Sequence, residues 1–331
     1  MPNSAKNQKH ILLVGNPNVG KSTIFNLLCN KNQKTGNYAG VTVASHEGTY
    51  LYKDEEVEIV DLPGSYSIYP TSEDEAIFTK YLIEEQEKYS GVIYIADALN
   101  LKRSLLLHQQ IKDLGIPVLM VINQVDLAEK RGLHIDSKKL SELLGQNILE
   151  SNAKKNIGID EIRESIFKDE FSVSDKPYFD IPSENLGLVF KISRQIEEKN
   201  FYKVWTLIAA DTYLGKLESV KTQLNQEDRK CMVPKRLQVQ ETIRRYQQID
   251  GIISQTISKK PQFKELLTEK LDKVLVHPVL GYLVFGIILL TIFQSVFFIA
   301  EYPMNWIDAA FAWLSETSRT WLPEGPLNSL I

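Results

Sequence analysis

The octapeptide Gly15-Asn16-Pro17-Asn18-Val19-Gly20-Lys21-Ser22 constrains this chain more than any other segment. It follows the apolar run 11–14 (ILLV) and opens a helix-patterned stretch at 22–28. In that strand–loop–helix context, G-x-x-x-x-G-K-[ST] is a phosphate cradle. Its glycines let successive backbone N–H groups wrap an anion, and the helix N-terminus faces the same charge. Lys21 offers a point charge to β- and γ-phosphates, and the Ser22 hydroxyl is a ligand for Mg²⁺.

The pattern continues to about residue 170. Apolar runs at 57–60, 92–96 and 117–122, with weaker ones at 43–52 and 147–149, alternate with helix-patterned stretches at 73–87, 101–114, 137–144 and 159–167. Short strands alternating with helices of this length imply right-handed βαβ units. The expected fold is an α/β P-loop domain over 10–170, a mostly parallel sheet with helices on both faces and 43–52 as an antiparallel edge. Residues 1–9 are polar and read as a disordered N-terminus with no secretory h-region. Prolines and turn-formers make 171–185 a linker, and 186–276, divided by Pro234 and Pro261, reads as a small all-helical domain.

Composition narrows the class. The chain has 331 residues, 43% apolar and 24% charged, which fits about two globular domains rather than disorder. The net charge of −4 gives no global drive toward nucleic acid. Cys29 and Cys231 are too few for a disulfide scaffold or a tetrahedral zinc site. These averages hide 278–300, which carries no formal charge. As a helix it spans about 34 Å, against about 30 Å for a hydrocarbon core. Residues 277–300 therefore read as a transmembrane helix, with the lipid bilayer as partner. Residues 301–331, with Trp306, Phe311 and Trp313, read as an interfacial segment. Lys259, Lys260, Lys264, Lys270 and Lys273 precede the span, and Arg319 is the only basic residue after it. This bias puts 1–276 in the cytoplasm.

Three further motifs follow apolar runs. Asp61-Leu62-Pro63-Gly64 is the D-x-x-G at which an Asp holds Mg²⁺ through a water and the Gly N–H meets the γ-phosphate. In Asn123-Gln124-Val125-Asp126, the Asp126 carboxylate can accept from guanine N1–H and the 2-amino group, which adenine cannot match. In Ser151-Asn152-Ala153-Lys154, a backbone N–H near Ala153 can donate to guanine O6. The phosphate site thus comprises residues 15–22 with Thr23 and Gly64.

These motifs resemble those of TRAFAC-class GTPases, and the chain looks most like the ferrous iron transport protein B (FeoB) family. GNPNVGKST (15–23), GNYAGVTV (36–43), DLPGSYS (61–67), ADALNLKRSL (96–105) and NQVD (123–126) carry the likeness in the first domain. Arg245-Tyr246 with Ile249-Asp250, LTEKLDKVLVHPVLG (267–281) and LPEGPLNSLI (322–331) carry it further. The resemblance implies a GTP-dependent Fe²⁺ uptake protein in the inner (cell) membrane of a prokaryote, multi-pass when whole, with this chain as a truncated piece. It implies a helical domain that stabilises the GDP state and a small FeoA-type accessory partner. It also implies a switch I of Gly36, Asn37, Tyr38, Ala39, Gly40, Val41 and Thr42, with Thr42 on Mg²⁺ beside Ser22 and Asp61. Switch II is Asp61, Leu62, Pro63, Gly64 and Ser65. Asn152 stands where the family's guanine loop usually has Ser or Thr.

After D-x-x-G, Ras-like enzymes carry a Gln that orients the attacking water. Here the residue is Ser65, so intrinsic hydrolysis is expected to be slow, with backbone groups or Ser65 placing the water. Gln33 is an outside alternative, and Lys34 is the nearest cation before Thr42. Asn18 resembles the organiser of potassium-activated members. Its carbonyl, with Gly36 and Tyr38, would hold K⁺ beside the β/γ bridge. The scattered histidines assign no iron ligand. Two rivals remain at this point: a soluble ribosome- or tRNA-associated GTPase, and a membrane-tethered switch without transport.

Overall fold

Strands without polar interruption belong where a sheet is covered on both faces, and three such strands organise this structure. The computed structural model describes residues 9–29, 33–37, 44–53, 55–174, 176–259 and 267–321. Its first elements are β1 (Lys9–Gly15), α1 (Lys21–Cys29), β2 (Gln33–Asn37), β3 (Ala44–Tyr52), β4 (Glu55–Asp61), α2 (Glu73–Glu84), β5 (Gly91–Asp97), α3 (Leu101–Asp113) and β6 (Val118–Asn123). Then come α4 (Val125–Lys130), β7 (Leu133–Ile135), α5 (Ser137–Leu144), β8 (Ile148–Ser151) and α6 (Ile159–Phe167). The rest is mainly helical: α7 (Ser183–Gln195), α8 (Phe201–Ala209), α9 (Asp211–Leu214), α10 (Glu218–Gln223), α11 (Gln226–Cys231), α12 (Pro234–Thr256), β9 (Ile257–Lys259), α13 (Leu267–Leu275) and α14 (Leu280–Trp321).

The main sheet has the order β2-β3-β4-β1-β5-β6-β8. Strands β4, β1, β5, β6 and β8 are parallel, and β3 runs antiparallel between β4 and β2. Side chains of β1, β5 and β6 alternate between two cores. Leu12, Val14, Tyr94, Ala96, Met120 and Ile122 face one, and Ile11, Leu13, Ile93, Ile95, Leu119 and Val121 face the other. The second core is closed by Ile24, Phe25 and Leu28 of α1 and Ile159, Ile162 and Ile166 of α6. The first extends through α3 to Val189, Ile192, Val204, Trp205 and Leu237 of the helical region.

Two differences from the sequence reading concern this half. Strand β3, in the stretch read as an antiparallel edge, is antiparallel, but the edge of the sheet is β2. Gly36 and Asn37, expected in a switch loop, lie in β2 opposite Ser45 and Ala44. The string QKTGN has no apolar alternation, so only its partner strand reveals it. Tyr38, Ala39, Gly40, Val41 and Thr42 lie outside the described residues. The 171–185 stretch also packs as a strap. Ser172 pairs with Val118, Asp113 accepts from the N–H groups of Tyr178 (2.7 Å) and Phe179 (3.1 Å), and Phe179 is buried.

The chain divides into two compact units, residues 1–261 and 262–331. The region read as 186–276 therefore splits, with α7 to α12 in the first unit and α13 in the second. In the second unit His277 Nδ1 accepts from the N–H groups of Val279 and Leu280, both at 3.2 Å, and so caps the start of α14. That helix does not stop near Ala300 but runs through Pro303 to Trp321. Within Leu280–Thr317 an 18-residue window reaches a mean hydropathy of 2.5, and the stretch is long and apolar enough to cross a membrane. The segment 322–331 lies outside the described residues.

Candidate functional site

Four loops leave the C-terminal ends of parallel strands side by side, the edge at which open α/β sheets bind ligands. They follow Gly15 of β1, Asp61 of β4, Asn123 of β6 and Ser151 of β8. The register sets Leu13 beside Asp61 and Asn123 beside Ser151.

The first loop is shaped by its backbone. Asn18 and Gly20 have φ of +65° and +88°, the left-handed region that Asn tolerates and Gly adopts freely. A Cβ on Gly20 would lie 2.4 Å from Asn123 Nδ2, so only glycine lets this turn come so close to the loop after β6. Helix α1 starts at Lys21, leaving Ser22 and Thr23 exposed at its N-terminus. Lys21 Nζ donates to the Asp61 carboxylate and to Leu62 O (2.6 Å). Burial raises the Asp61 carboxyl above its ordinary range, against the lowering pull of Lys21 and His46. A carboxylate only 5% exposed and already carrying a cation marks a corner built to hold positive charge. Asp61 and Ser22 supply the oxygen donors that Mg²⁺ prefers.

Asn123 ties this loop to the one that follows β8. Its Nδ2 donates to Val19 O at 2.9 Å, and its Oδ1 accepts from Ser151 Oγ and Ala153 N–H, both at 3.1 Å. Gln124, with φ of +66°, donates from Nε2 to Asn18 O at 3.2 Å. Asp126 lies 3.4 Å from Lys155 Nζ and 3.9 Å from Lys130 Nζ. Slight desolvation pushes its carboxyl up, but hydrogen bonds from Asn152 and Lys155, with both lysine charges, prevail and hold it below the usual range. It therefore presents an ionised acceptor at neutral pH.

Residues 9–166 match the family model described as Ferrous iron transport protein B. The curated Fe(2+) transporter FeoB of Leptospira biflexa is 34% identical over 336 residues, covering 98% of this chain and 49% of the relative. The structure of the cytosolic domain of L. pneumophila FeoB is 35% identical and superposes with a TM-score of 0.65, over 76% of this chain and 100% of that one. The chain belongs to the FeoB family. The cytosolic domain of the T. maritima FeoB iron transporter in a GDP form is also similar, at 25% identity and a TM-score of 0.65, over 76% of this chain and 98% of that one. This FeoB chain spans about half the length of the curated Leptospira relative.

Several side chains of this FeoB chain sit differently from the sequence reading. Near Ala153, where a backbone N–H was expected to donate to guanine O6, the N–H of Ala153 itself is bonded to Asn123 Oδ1. Ser65, considered for placing a water, is 1% exposed, and its Oγ donates to Ser67 O at 2.7 Å. Gln33 and Lys34 lie in β2, opposite Gly48 and Glu47. Asn18 adopts a left-handed backbone conformation, with φ of +65°. Sequence reasoning missed Tyr94, whose hydroxyl donates to Ser104 O (2.6 Å) and lies 3.3 Å from Asn16 Oδ1. It also missed Arg103, stacked 3.4 Å from the centre of the Tyr66 ring. The 96–105 string held both Arg103 and Ser104, but only as part of a family likeness. Among the described residues no group of three His, Cys, Asp or Glu is arranged to hold a metal ion.

Proposed function

We propose that this chain is the GTP-binding and GTP-hydrolysing part, with the first membrane span, of a Fe²⁺ uptake protein. The carrying observation is the Asn123 hub, which bonds the phosphate loop at Val19 and the base loop at Ser151 and Ala153. A single ligand holding both phosphates and a guanine ring is what such a junction suits.

Residues 15–23 and Gly64 would bind phosphate, and Asp126 with the 151–153 loop would read guanine. Ser22 and Asp61, with Thr42 of switch I, would hold Mg²⁺, which when bound neutralises phosphate charge. Lys21, now shared between Asp61 and Leu62 O, is the cation that phosphate oxygens would recruit. Turnover would be slow without help, because Ser65 carries no free hydroxyl toward the loop. K⁺ near Asn18, Gly36 and Tyr38 is the proposed help, since charge developing at the β/γ bridge rewards a cation in the transition state. Residues 1–276 would face the cytoplasm, with the remaining transporter region, a FeoA-type protein and the bilayer as partners. Fe²⁺ is cargo of the whole protein, with no ligand assigned here.

The test is phosphate release by the 331-residue protein in detergent, in K⁺, Na⁺ or Li⁺ at fixed ionic strength. Faster release in K⁺ than in Na⁺, with the difference lost in Asn18→Ala, supports the reading. Equal rates in K⁺ and Na⁺ remove the cation site, and absent GTP hydrolysis in all salts removes the GTPase reading.

A further inference from the structure

Glu241 lies on α12, far outside the 9–166 family match, and is 0% exposed. Five donors converge on its carboxylate. Oε1 accepts from Arg245 Nε (2.6 Å), Tyr202 OH (2.7 Å) and Gln110 Nε2 (3.3 Å). Oε2 accepts from Trp205 Nε1 (2.8 Å) and from the Tyr69 hydroxyl. Arg245 also donates to Asp113 Oδ2 at 2.6 Å, so the buried charge is paired and hydrogen-bonded on both sides.

Two of the five donors lead to the segment that directly follows Asp61–Gly64. Tyr69 is in it. Gln110 grips it a second time, because its Oε1 accepts from Ile68 N–H (3.0 Å) and Ser67 Oγ (3.2 Å). Thr79 Oγ1 donates to Ile68 O at 2.7 Å, and Ser65 N–H donates to Gly15 O at 3.3 Å. Gly64 itself is pressed on the phosphate loop, where a Cβ would lie 3.0 Å from Pro17 N.

We infer that Glu241 is a positioning residue for turnover, pinning residues 65–69 through Tyr69 and Gln110 so that the Gly64 N–H is held at the γ-phosphate position. This rests on the GTPase reading above. GDP has no γ-phosphate, so loosening the pin slows hydrolysis and leaves GDP affinity unchanged. A fully bonded buried carboxylate of this kind is rigid, which suits a positioning element better than a moving one.

The test compares Tyr69→Phe with Tyr202→Phe in the full chain. Each removes one hydroxyl donor from the same carboxylate, but only Tyr69 belongs to the segment after Gly64. Both are expected to lower the melting temperature to a similar extent. Tyr69→Phe is expected to slow single-turnover GTP hydrolysis about fivefold while GDP affinity stays within about twofold, the scale of one lost hydrogen bond. Tyr202→Phe is expected to turn over like the wild type. Gln110→Leu, which cuts the other route, is expected to slow hydrolysis as Tyr69→Phe does. Wild-type turnover in both Tyr69→Phe and Gln110→Leu, or equal slowing in Tyr202→Phe, overturns the inference. A wild-type chain that neither binds nor hydrolyses GTP overturns the functional reading instead.

Discussion

Asp126 shows what a single side chain contributes. With its carboxyl held below the usual range by hydrogen bonds from Asn152 and Lys155 and by the two lysine charges, it would offer two acceptor oxygens where guanine offers two donors under the proposed reading. Asp126→Asn puts a donor in that place, so GTP affinity should fall by on the order of a hundredfold while xanthosine triphosphate gains. Competition binding checks it, and unchanged GTP affinity would remove Asp126 from base recognition. His108 makes a different kind of statement. It is fully buried, bonded at Nε2 to Gln146 (2.7 Å), and burial, reinforced by the Lys112 charge, pushes its pKa from 6.5 to about 3. Between those values the unfolded chain takes up a proton that the folded protein refuses, so stability falls as pH drops through that window. Melting curves from pH 7 to 4 should show a shallower loss for His108→Gln than for the wild type. Parallel curves would contradict the assignment. The placing of Lys21, Asp61, Asn123 and Asp126 beside the loops at one edge of the sheet was legible, because each motif follows an apolar run. Glu241 was not, and Arg245 entered only as part of the family likeness. An opposite pair four residues apart on a charged helix reads as a solvated face, and only packing against α3 and α8 buries it.

Elements were legible where their apolar pattern was autonomous. The strands β1, β5 and β6 announce themselves by uninterrupted apolar residues, as do helices such as α3 and α6 by their periodicity. β2 and the β7–β9 pair do not, since QKTGN, LHI and ISK are strands only through their partners. The turns between elements are constrained just as strongly. Gly158, which opens α6 behind the base loop, has φ of +85°, and a Cβ there would meet Glu150 O at 2.4 Å. Gly145, which ends α5, has φ of +62° and nothing within 4 Å of a built Cβ. Gly145→Ala should therefore cost about 1–2 kcal/mol, the left-handed penalty alone. Gly158→Ala should cost more and weaken nucleotide binding, because Ser151 must move. Denaturant titration separates them, and equal losses would mean that the backbone clash relaxes freely.

Across the whole molecule, the division at about residue 261 was less legible than the motifs. The sequence suggested a sheet domain and a separate helical domain, because charged helical periodicity says nothing about which surface it covers. In the structure one apolar core runs from β1, β5 and β6 through α3 into α7, α8 and α12. Helix α14, 42 residues long, dominates the second unit. At 1.5 Å per residue it measures about 63 Å, well beyond a hydrocarbon core. Residues 1–261 should therefore remain soluble in plain buffer, whereas 1–331 should need detergent or lipid. Sedimentation tests this, and a monodisperse longer chain in plain buffer would contradict a membrane role for α14. The claim on which the rest depends is that the loops at the ends of β1, β4, β6 and β8 form one guanine-nucleotide site. Calorimetric titration of the full chain in detergent with GDP and with ADP measures it directly. GDP should bind at one site per chain, with ADP weaker by on the order of a hundredfold; equal affinity for the two nucleotides, or no binding of GDP, would contradict it.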